Sequence, residues 1–199
     1  MTDFSANSPA MPVVDALQVL VGLCGEGWSV VTNQGSARIW PALSRRPGDF
    51  HYNPSTMGGA IPLALGLALA QPRRNVLAVT GDGSLLMSLG SLVTVAGSGG
   101  TNLTVVVLDN RLYEVTGGQR TAATGVAVDY AALAQAAGFA SVANFGELAA
   151  WQRDAARFLR EPGPKLVRLA VLPAPRELLR SSTPPLAEQL ADLQQALRA

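Results

Sequence analysis

Four short runs of mainly apolar residues stand out along the chain. They lie at residues 28–32, 75–80, 103–108 and 165–172, and such runs are typical of strands that are buried on both faces of a sheet. Residues 33–54 contain glycine and proline at several points, so we expect an irregular connection there.

The segments around these strands carry apolar residues at helical spacing. They predict a helix over residues 14–24 and a buried, apolar helix over residues 57–70. A further helix is expected to begin with Ser84 as its N-cap, and two more lie over residues 130–137 and 148–159. Strands that alternate with helices predict an α/β fold: a doubly wound, mostly parallel sheet with helices on both faces.

The two ends of the chain differ in composition from its centre. Residues 1–12 are polar and punctuated by proline, which predicts a flexible N-terminus, and residues 13–185 are expected to form the main domain. Beyond residue 172 proline, arginine and serine dominate, and residues 186–199 then predict a C-terminal helix with its leucines on one stripe. We expect this helix to pack on its own domain or on a neighbouring chain.

Composition and charge exclude several classes of function. The 199 residues include 15 basic and 14 acidic ones, a net charge of +1, so neither nucleic acid nor an anionic membrane is an expected partner. The most apolar run, residues 57–70, is shorter than the roughly 20 residues that cross a bilayer. Cys24 is the single cysteine, which excludes an internal disulfide and fits a reducing compartment, so we expect a cytoplasmic protein.

Lys165 and His51 are each the only residue of their type. The sequence contains neither a P-loop with its Gly-Lys-Ser/Thr nor a Gly-x-Ser-x-Gly nucleophile elbow. We expect Lys165 to be a solvated residue at the start of its strand. His51 is expected to be a loop histidine with local hydrogen bonds rather than a catalytic base, and Cys24 a small apolar residue on its helix.

Polar residues and glycines follow two of the predicted strands. Gly81, Asp82, Gly83 and Ser84 come after one, and Asn110 follows the next. A single helix between two parallel strands brings them side by side, so Asp82 and Asn110 should meet at the carboxyl edge of the sheet, where their oxygens suit Mg²⁺. The glycines and the start of the next helix allow a phosphate to approach the backbone. Together they predict a magnesium-bridged diphosphate.

The same segments resemble a known cofactor motif. Gly81-Asp82-Gly83, followed after one crossover by Asp109-Asn110, is similar to the thiamine diphosphate motif of the pyruvate-decarboxylase-like enzymes. Over about residues 13–185 the chain most resembles the β subunit of sulfopyruvate decarboxylase and the corresponding half of phosphonopyruvate decarboxylase. The stretches that carry this likeness are Thr-Asn-Gln-Gly at 32–35, Ser-Thr-Met-Gly at 55–58, Leu-Asp-Asn at 108–110 and Thr-Gly-Gly-Gln at 116–119. The resemblance implies a diphosphate-binding (PP) domain with thiamine diphosphate and Mg²⁺ as cofactors.

The resemblance also implies roles for single residues. Asp82 and Asn110 would ligate Mg²⁺ through their side chains, and Leu112 through its backbone carbonyl. Met57 would wedge between the two rings of the cofactor and hold it bent, while the carbonyl of Ser55 would accept a hydrogen bond from the pyrimidine amino group. The other implied cofactor contacts are Asn33, Gly35, Gly81, Gly83, Ser84 and Tyr113.

Substrate contacts are expected from the loop after Asn110 and from the proline-rich tail. The candidates are Thr116, Gln119, Arg120 and Arg180. A guanidinium group suits a sulfonate or phosphonate, although solvation at the surface is the ordinary role of an arginine.

The family places the glutamate that activates the pyrimidine ring on a second domain, and no glutamate of this chain lies in a segment that resembles that domain. The resemblance therefore implies the diphosphate-binding subunit of a heteromeric 2-oxo acid decarboxylase. A separate pyrimidine-binding (α-type) subunit would complete it, in a hetero-oligomer with paired PP domains. We expect 3-sulfo- or 3-phosphonopyruvate as substrate. A subunit of an acetolactate synthase-like carboligase and a cofactor-binding subunit without turnover are the alternatives.

Overall fold

Six strands lie side by side in one parallel sheet in the computed structural model, which describes residues 9–126 and 128–198. Two short strands lie outside this sheet. In chain order the strands are β1 (Trp28–Asn33), β2 (Asp49–Tyr52), β3 (Asn75–Gly81), β4 (Leu103–Asp109), β5 (Leu112–Tyr113), β6 (Gln119–Arg120), β7 (Ser141–Phe145) and β8 (Lys165–Ala170). The order across the sheet is β2-β1-β3-β4-β8-β7, while β5 and β6 form a separate antiparallel hairpin. The predicted parallel sheet is confirmed.

Helices cover both faces of this sheet. They are α1 (Val13–Leu23), α2 (Gln34–Leu43), α3 (Ala60–Ala70), α4 (Asp82–Leu86), α5 (Ser91–Gly97), α6 (Tyr130–Ala137), α7 (Leu148–Leu159), α8 (Arg176–Leu179) and α9 (Leu186–Arg198). On one face α1, α2 and α7 build a core that includes Trp40 and Trp151, and on the other α3, α5 and α6 build a core that includes Ile61 and Tyr130. The doubly wound arrangement is therefore confirmed.

The central strand β4 shows why most of its residues are apolar. All seven of its residues are buried. Val106 belongs to the core on one face, and its neighbours Val105 and Val107 belong to the core on the other. Because successive side chains of a strand point to opposite faces, a sheet with two covered faces needs apolar residues at every position.

The strand order reverses between β1 and β3. The chain leaves β1 toward β2 on one side, whereas β3, β4 and β8 follow on the other side of β1. Thr32 of β1 lies opposite Val79 of β3, and Gly81 at the end of β3 lies opposite Leu108 of β4. The carboxyl ends of three neighbouring strands thus flank one crevice, the usual ligand position in open α/β sheets.

The expectation of an irregular connection over residues 33–54 is wrong. This segment contains α2 and the edge strand β2. Gly35 and Pro41 both lie within α2, and they disguise it because these residue types usually interrupt helices. His51 consequently lies on a strand rather than in a loop.

The helix expected to begin at Ser84 is in fact two helices, and Ser84 is not an N-cap. α4 begins two residues earlier, with Gly81 as its N-cap, and α5 begins only at Ser91. The turn between them packs against Gly58, where Ser88 Oγ donates a hydrogen bond of 3.0 Å to the Gly58 carbonyl. Ser88 thus ties the segment between the two helices to the loop before α3.

The expectation that the apolar helix over residues 57–70 is buried is correct for one side only. The helix, α3, buries Ile61 and Ala64, whereas Leu63 and Leu69 are 41% and 51% exposed. Among residues 9–126 and 128–198, no helix has the length and apolarity needed to cross a membrane.

The structure differs from the sequence-based expectation at two further strands. β7 was not predicted, because the polar Asn144 interrupts its short apolar pattern at the sheet edge. Lys165 is not solvated: only 5% of it is exposed, and its Nζ donates a hydrogen bond of 2.9 Å to the carbonyl of Glu161. Cys24, in contrast, is buried as expected, at the C-cap of α1.

The N-terminal expectation lies mostly outside the described residues, since the structure does not describe residues 1–8. Met11 is 2% exposed and forms a parallel β-bridge with Val171. The prediction of a flexible segment that extends to residue 12 is therefore wrong for Met11.

The C-terminal helix α9 packs on its own domain. Gln189, 4% exposed, accepts a hydrogen bond of 2.7 Å from the backbone N–H of His51 and donates one of 2.8 Å to the carbonyl of Pro184. The expected leucine stripe is divided, because Leu193 packs on the core whereas Leu186 and Leu190 are exposed.

Candidate functional site

A cleft that is partly open to solvent lies at the carboxyl ends of β1, β3 and β4. Ten of the residues singled out in the sequence line it: Asn33, Gly35, Met57, Gly81, Gly83, Ser84, Asn110, Leu112, Tyr113 and Thr116. The parallel sheet accounts for this convergence, because loops that are far apart in sequence leave the sheet at one edge.

Asp82 lies just beyond β3 and is 1% exposed. Its Oδ2 accepts a hydrogen bond of 2.9 Å from Thr121 Oγ1, whereas its Oδ1 is buried and has no hydrogen-bond partner in the described part of the chain. Burial, and secondly the charge of Asp109, raise the pKa of Asp82 to about 6. An ionised carboxylate with a buried oxygen that lacks a hydrogen-bond partner is energetically unfavourable on its own. The same oxygen is a suitable ligand for a divalent cation.

The neighbouring carboxylate of Asp109 is already paired with a cationic side chain. Arg168 donates two hydrogen bonds to Asp109 Oδ2, of 2.8 Å from Nε and 2.6 Å from Nη2. Asp109 Oδ1 has no partner among the described residues, yet the charge of this group is balanced. Of these two carboxylates, Asp82 is the one that has no salt bridge within the described residues. Asn110, directly after β4, offers a second oxygen, Oδ1, which also accepts a hydrogen bond of 2.9 Å from the Leu112 N–H.

Gly81 and Gly83 differ in what surrounds them. A Cβ on Gly81 would meet no atom within 4 Å, so this residue faces open space in the cleft. A Cβ on Gly83 would lie 2.7 Å from Cδ1 of Tyr113 and 3.0 Å from Cγ2 of Thr121. Gly83 is thus required by the close packing of the Tyr113 ring, a reason that the sequence did not reveal.

Ser84 joins two other loops of the cleft. Its Oγ accepts hydrogen bonds from Asn33 Nδ2 at 3.0 Å and from the Gly58 N–H at 2.9 Å. The hydroxyl therefore positions the ends of two other segments, in addition to lining the space where a diphosphate is expected.

Met57 lines the cleft on a loop that is held at both ends. Gln34 Nε2 donates a hydrogen bond of 2.9 Å to Ser55 Oγ, and Ser84 and Ser88 hold Gly58. Gln34 has a φ of 52°, in the left-handed region that few non-glycine residues adopt. Such strained residues cluster at functional sites, where the surrounding structure maintains them.

The comparison with protein families agrees with this geometry. Residues 33–169 match the C-terminal TPP binding domain of the thiamine pyrophosphate enzymes. The chain belongs to this family. The matched region includes the Asp82 and Asn110 edge, both glycines of the turn and the loop of Met57.

Relatives within the family share more of the sequence. The chain is 40% identical over 169 residues to phosphonopyruvate decarboxylase of Streptomyces viridochromogenes, a match that covers 84% of this chain and 42% of the relative. It is 41% identical over 127 residues to sulfopyruvate decarboxylase subunit beta of Methanothermobacter thermautotrophicus, covering 63% of this chain and 66% of the relative. The chain therefore spans less than half of the first relative and about two thirds of the second.

A solved structure shares the fold. The X-ray structure of a Mycobacterium smegmatis protein assigned as a thiamin diphosphate-dependent enzyme superimposes with a TM-score of 0.68 at 22% identity. The match covers 87% of this chain and 34% of that one. It supports the α/β architecture of the thiamine pyrophosphate enzyme domain.

Glu114 is a cleft residue of this domain for which sequence reasoning gave no role. Its Oε1 accepts a hydrogen bond of 2.5 Å from the backbone N–H of Ala174, and burial raises its pKa. Its Oε2 would lie 3.3 Å from a Cβ on Gly35, which requires a small residue there. Glu114 thus joins the loop after β4 to the segment that follows β8.

The structure does not bring three of the four substrate candidates into the cleft. Thr116 lines it, whereas Gln119 and Arg120 are exposed on β6 and Arg180 is exposed after α8. Within the described ranges, the residues that line the cleft include neither lysine nor arginine. The contact of Gln119, Arg120 and Arg180 with a sulfonate or phosphonate stays a prediction.

Thr121 and Gln34 were not singled out in the sequence, although both hold site residues. Thr121 follows the β5–β6 hairpin and reaches Asp82 only because that hairpin folds back, so nothing in its local sequence marks it. The left-handed conformation of Gln34 has no sequence signal either, because glycine or asparagine is the usual residue there.

His51 lies outside the cleft. Its Nδ1 lies 2.9 Å from Thr32 Oγ1, and burial lowers its pKa to about 4. A neutral, hydrogen-bonded histidine on a buried strand fits the structural role expected for it.

Proposed function

We propose that this chain is the diphosphate- and magnesium-binding subunit of a thiamine diphosphate-dependent decarboxylase. The substrate would be a 2-oxo acid with a sulfonate or phosphonate on its third carbon. One observation carries the proposal: the free, buried Oδ1 of Asp82 lies at the edge where Asn110 and two glycines converge. The names of the relatives, phosphonopyruvate decarboxylase and sulfopyruvate decarboxylase subunit beta, support the substrate class.

The metal would be held by Asp82 and Asn110 through their side chains and by Leu112 through its carbonyl. Oδ1 of Asp82 fits this role because, among the described residues, it is an acceptor without a donor. Asn33, Gly35, Gly81, Gly83, Ser84 and Tyr113 would surround the diphosphate.

The loop of residues 55–58 would orient the cofactor rings. Met57 would separate them, and the carbonyl of Ser55 would hold the pyrimidine amino group. When bound, thiamine diphosphate supplies the electron sink for decarboxylation. The hydrogen bonds of Ser55 and Gly58 to Gln34, Ser84 and Ser88 would keep Met57 in place during turnover.

The proposal includes a separate pyrimidine-binding subunit in a hetero-oligomer with paired PP domains. The designation of one relative as a subunit beta supports this arrangement. So does the exposure of four large apolar side chains, which a partner would cover: Leu63, Leu69, Met87 and Val93, at 41%, 51%, 57% and 62%. The partner would supply the activating glutamate and the cations that the cleft of this chain lacks. We expect the assembly in the cytoplasm, where the single cysteine remains reduced.

The test is to purify the chain from its natural host with whatever protein accompanies it. Carbon dioxide release is then measured with phosphonopyruvate, sulfopyruvate and pyruvate, in the presence of thiamine diphosphate and Mg²⁺. The proposal expects release only from the complex, and faster release with the two acidic substrates.

Three outcomes would contradict parts of the proposal. Faster release from pyruvate, or its condensation with a second 2-oxo acid, would point to a carboligase. Cofactor binding without turnover of any substrate would point to a non-catalytic subunit. Full activity of the isolated chain would exclude the shared site.

A further inference from the structure

We propose that Thr121 is a positioning residue for the metal site: it holds the Asp82 carboxylate so that Oδ1 faces Mg²⁺. This inference rests on the proposed function, because it concerns the same metal. Thr121 would not touch the metal or the cofactor itself. It would act only through Asp82.

The geometry at Asp82 leaves one oxygen for the metal. Thr121 Oγ1 lies 2.9 Å from Oδ2, and the two residues are 3% and 1% exposed. A hydrogen bond on one carboxylate oxygen restrains rotation of the whole group. With Oδ2 engaged, Oδ1 is the oxygen without a partner among the described residues. A carboxylate that ligates a metal is commonly oriented by such an outer hydrogen bond.

Thr121 is itself fixed by its backbone. Its N–H donates a hydrogen bond of 2.9 Å to the carbonyl of Arg111, and its carbonyl accepts one of 3.0 Å from the Thr124 N–H. The first of these bonds closes the base of the β5–β6 hairpin, in which Leu112 pairs with Arg120. The hydroxyl of Thr121 therefore stands at a defined place relative to the sheet edge.

The same residue connects two parts of the site. The hairpin that Thr121 closes begins next to Asn110 and carries Leu112 and Tyr113, which line the cleft. The side chain of Thr121 contacts Asp82, which lies just beyond β3. Loss of the hydroxyl should consequently weaken metal binding while all the proposed ligands remain present.

Thr121→Val tests this inference, because valine keeps the shape of threonine and removes the hydroxyl. The measurement is the Mg²⁺ concentration that half-saturates thiamine diphosphate binding, by titration calorimetry on the full chain in the assembly in which it is purified. We expect this concentration to rise about 10- to 100-fold in Thr121→Val, the usual effect of removing an outer partner of a metal ligand. Thr121→Ser, which keeps the hydroxyl, should stay close to the wild type.

Thr124→Val is the matched control. Thr124 Oγ1 donates to the Arg111 carbonyl at 3.2 Å in the same loop and, among the described residues, forms no side-chain hydrogen bond with Asp82. Its half-saturation should not change, and urea unfolding in the presence of EDTA checks that all three variants fold. Unchanged Mg²⁺ dependence in Thr121→Val, or an equal rise in Thr121→Ser or Thr124→Val, would overturn the inference. Absence of Mg²⁺-dependent binding in the wild type would instead overturn the proposed function.

Discussion

Ser84 Oγ accepts a hydrogen bond of 3.0 Å from Asn33 Nδ2, which lies 51 positions earlier in the chain. The same oxygen accepts the Gly58 N–H at 2.9 Å. One hydroxyl thus connects the end of β1, the turn after β3 and the loop before α3. The relative positions of three walls of the cleft depend on it.

Ser84→Ala should therefore destabilise the protein and weaken cofactor binding together. The substitution leaves two buried donors without an acceptor, which costs about 1–3 kcal/mol in the free energy of unfolding. Urea denaturation measures this loss. Ser91→Ala is the matched control, because Ser91 Oγ is buried and has no hydrogen-bond partner in the part of the chain that the structure describes, so its removal should cost little. Equal losses in the two variants would show that the Ser84 contacts do not matter.

Gly83→Ala should be destabilising chiefly because the new Cβ would clash with the Tyr113 ring. The new Cβ would lie 2.7 Å from Cδ1 of Tyr113, so the ring would have to move, at a cost of about 1–3 kcal/mol. In a Tyr113→Ala background the same substitution should cost clearly less. Gly90→Ala is the control: a Cβ there meets nothing within 4 Å and the backbone has a φ of −60°. Thermal unfolding of the four variants measures the coupling, and additive costs would contradict the clash.

Asp82→Asn should have opposite effects on stability and on binding. The folded-state pKa of Asp82 is raised to about 6, so above that pH the folded protein carries a buried charge that it disfavours. An asparagine removes this cost, about 1–3 kcal/mol, and should stabilise the metal-free protein at pH 7.5. Mg²⁺-dependent binding of thiamine diphosphate should be lost. Asp192→Asn, on the exposed side of α9, should change neither property. Retained binding in Asp82→Asn would refute the metal assignment.

His51 should make the protein sensitive to mild acid. Its folded-state pKa is about 4, below the usual value of 6.5, because the ring is buried. As the pH falls from 6.5 to 4, the unfolded chain gains a proton there before the folded one does, and stability falls by about 1.4 kcal/mol per unit, or about 3 kcal/mol in total. His51→Asn should remove this slope.

The measurement is urea unfolding of wild type and His51→Asn between pH 4 and 7. Asp82 changes stability in the opposite direction over part of this range, because its folded-state pKa is raised. Asp82 is present in both proteins, so the difference between their curves isolates His51. Parallel curves would mean that His51 is not responsible.

Many of the residues named from the sequence line one cleft, whereas several elements around that cleft were not predicted. Asp82 and Asn110 could be placed together because two continuous apolar runs and one intervening helix define a parallel crossover. The prediction of an irregular connection in place of α2 was wrong because Gly35 and Pro41 obscure the helical periodicity of that segment. β7 was missed because an edge strand needs fewer apolar residues than a central one.

The roles of Thr121, Gly83 and Ser84 could not be derived from local pattern. Thr121 reaches Asp82 across 39 positions, and the Tyr113 ring that makes a glycine necessary at position 83 lies on a hairpin of two-residue strands. Contacts of this kind depend on how loops fold back over the sheet edge. Loop conformation has no periodicity, so it becomes evident only in the folded structure.

The crevice at the reversal of strand order also links ligand binding to folding. Its walls include Asn33, Gly81 and Asn110, each of which needs its own strand to be in place in the sheet. A ligand of this crevice would therefore bind the native chain and not the unfolded one. At a concentration of 100 times its dissociation constant it would add about 2.7 kcal/mol to the free energy of unfolding. Cofactor supply would then act on the lifetime of the protein as well as on its chemistry.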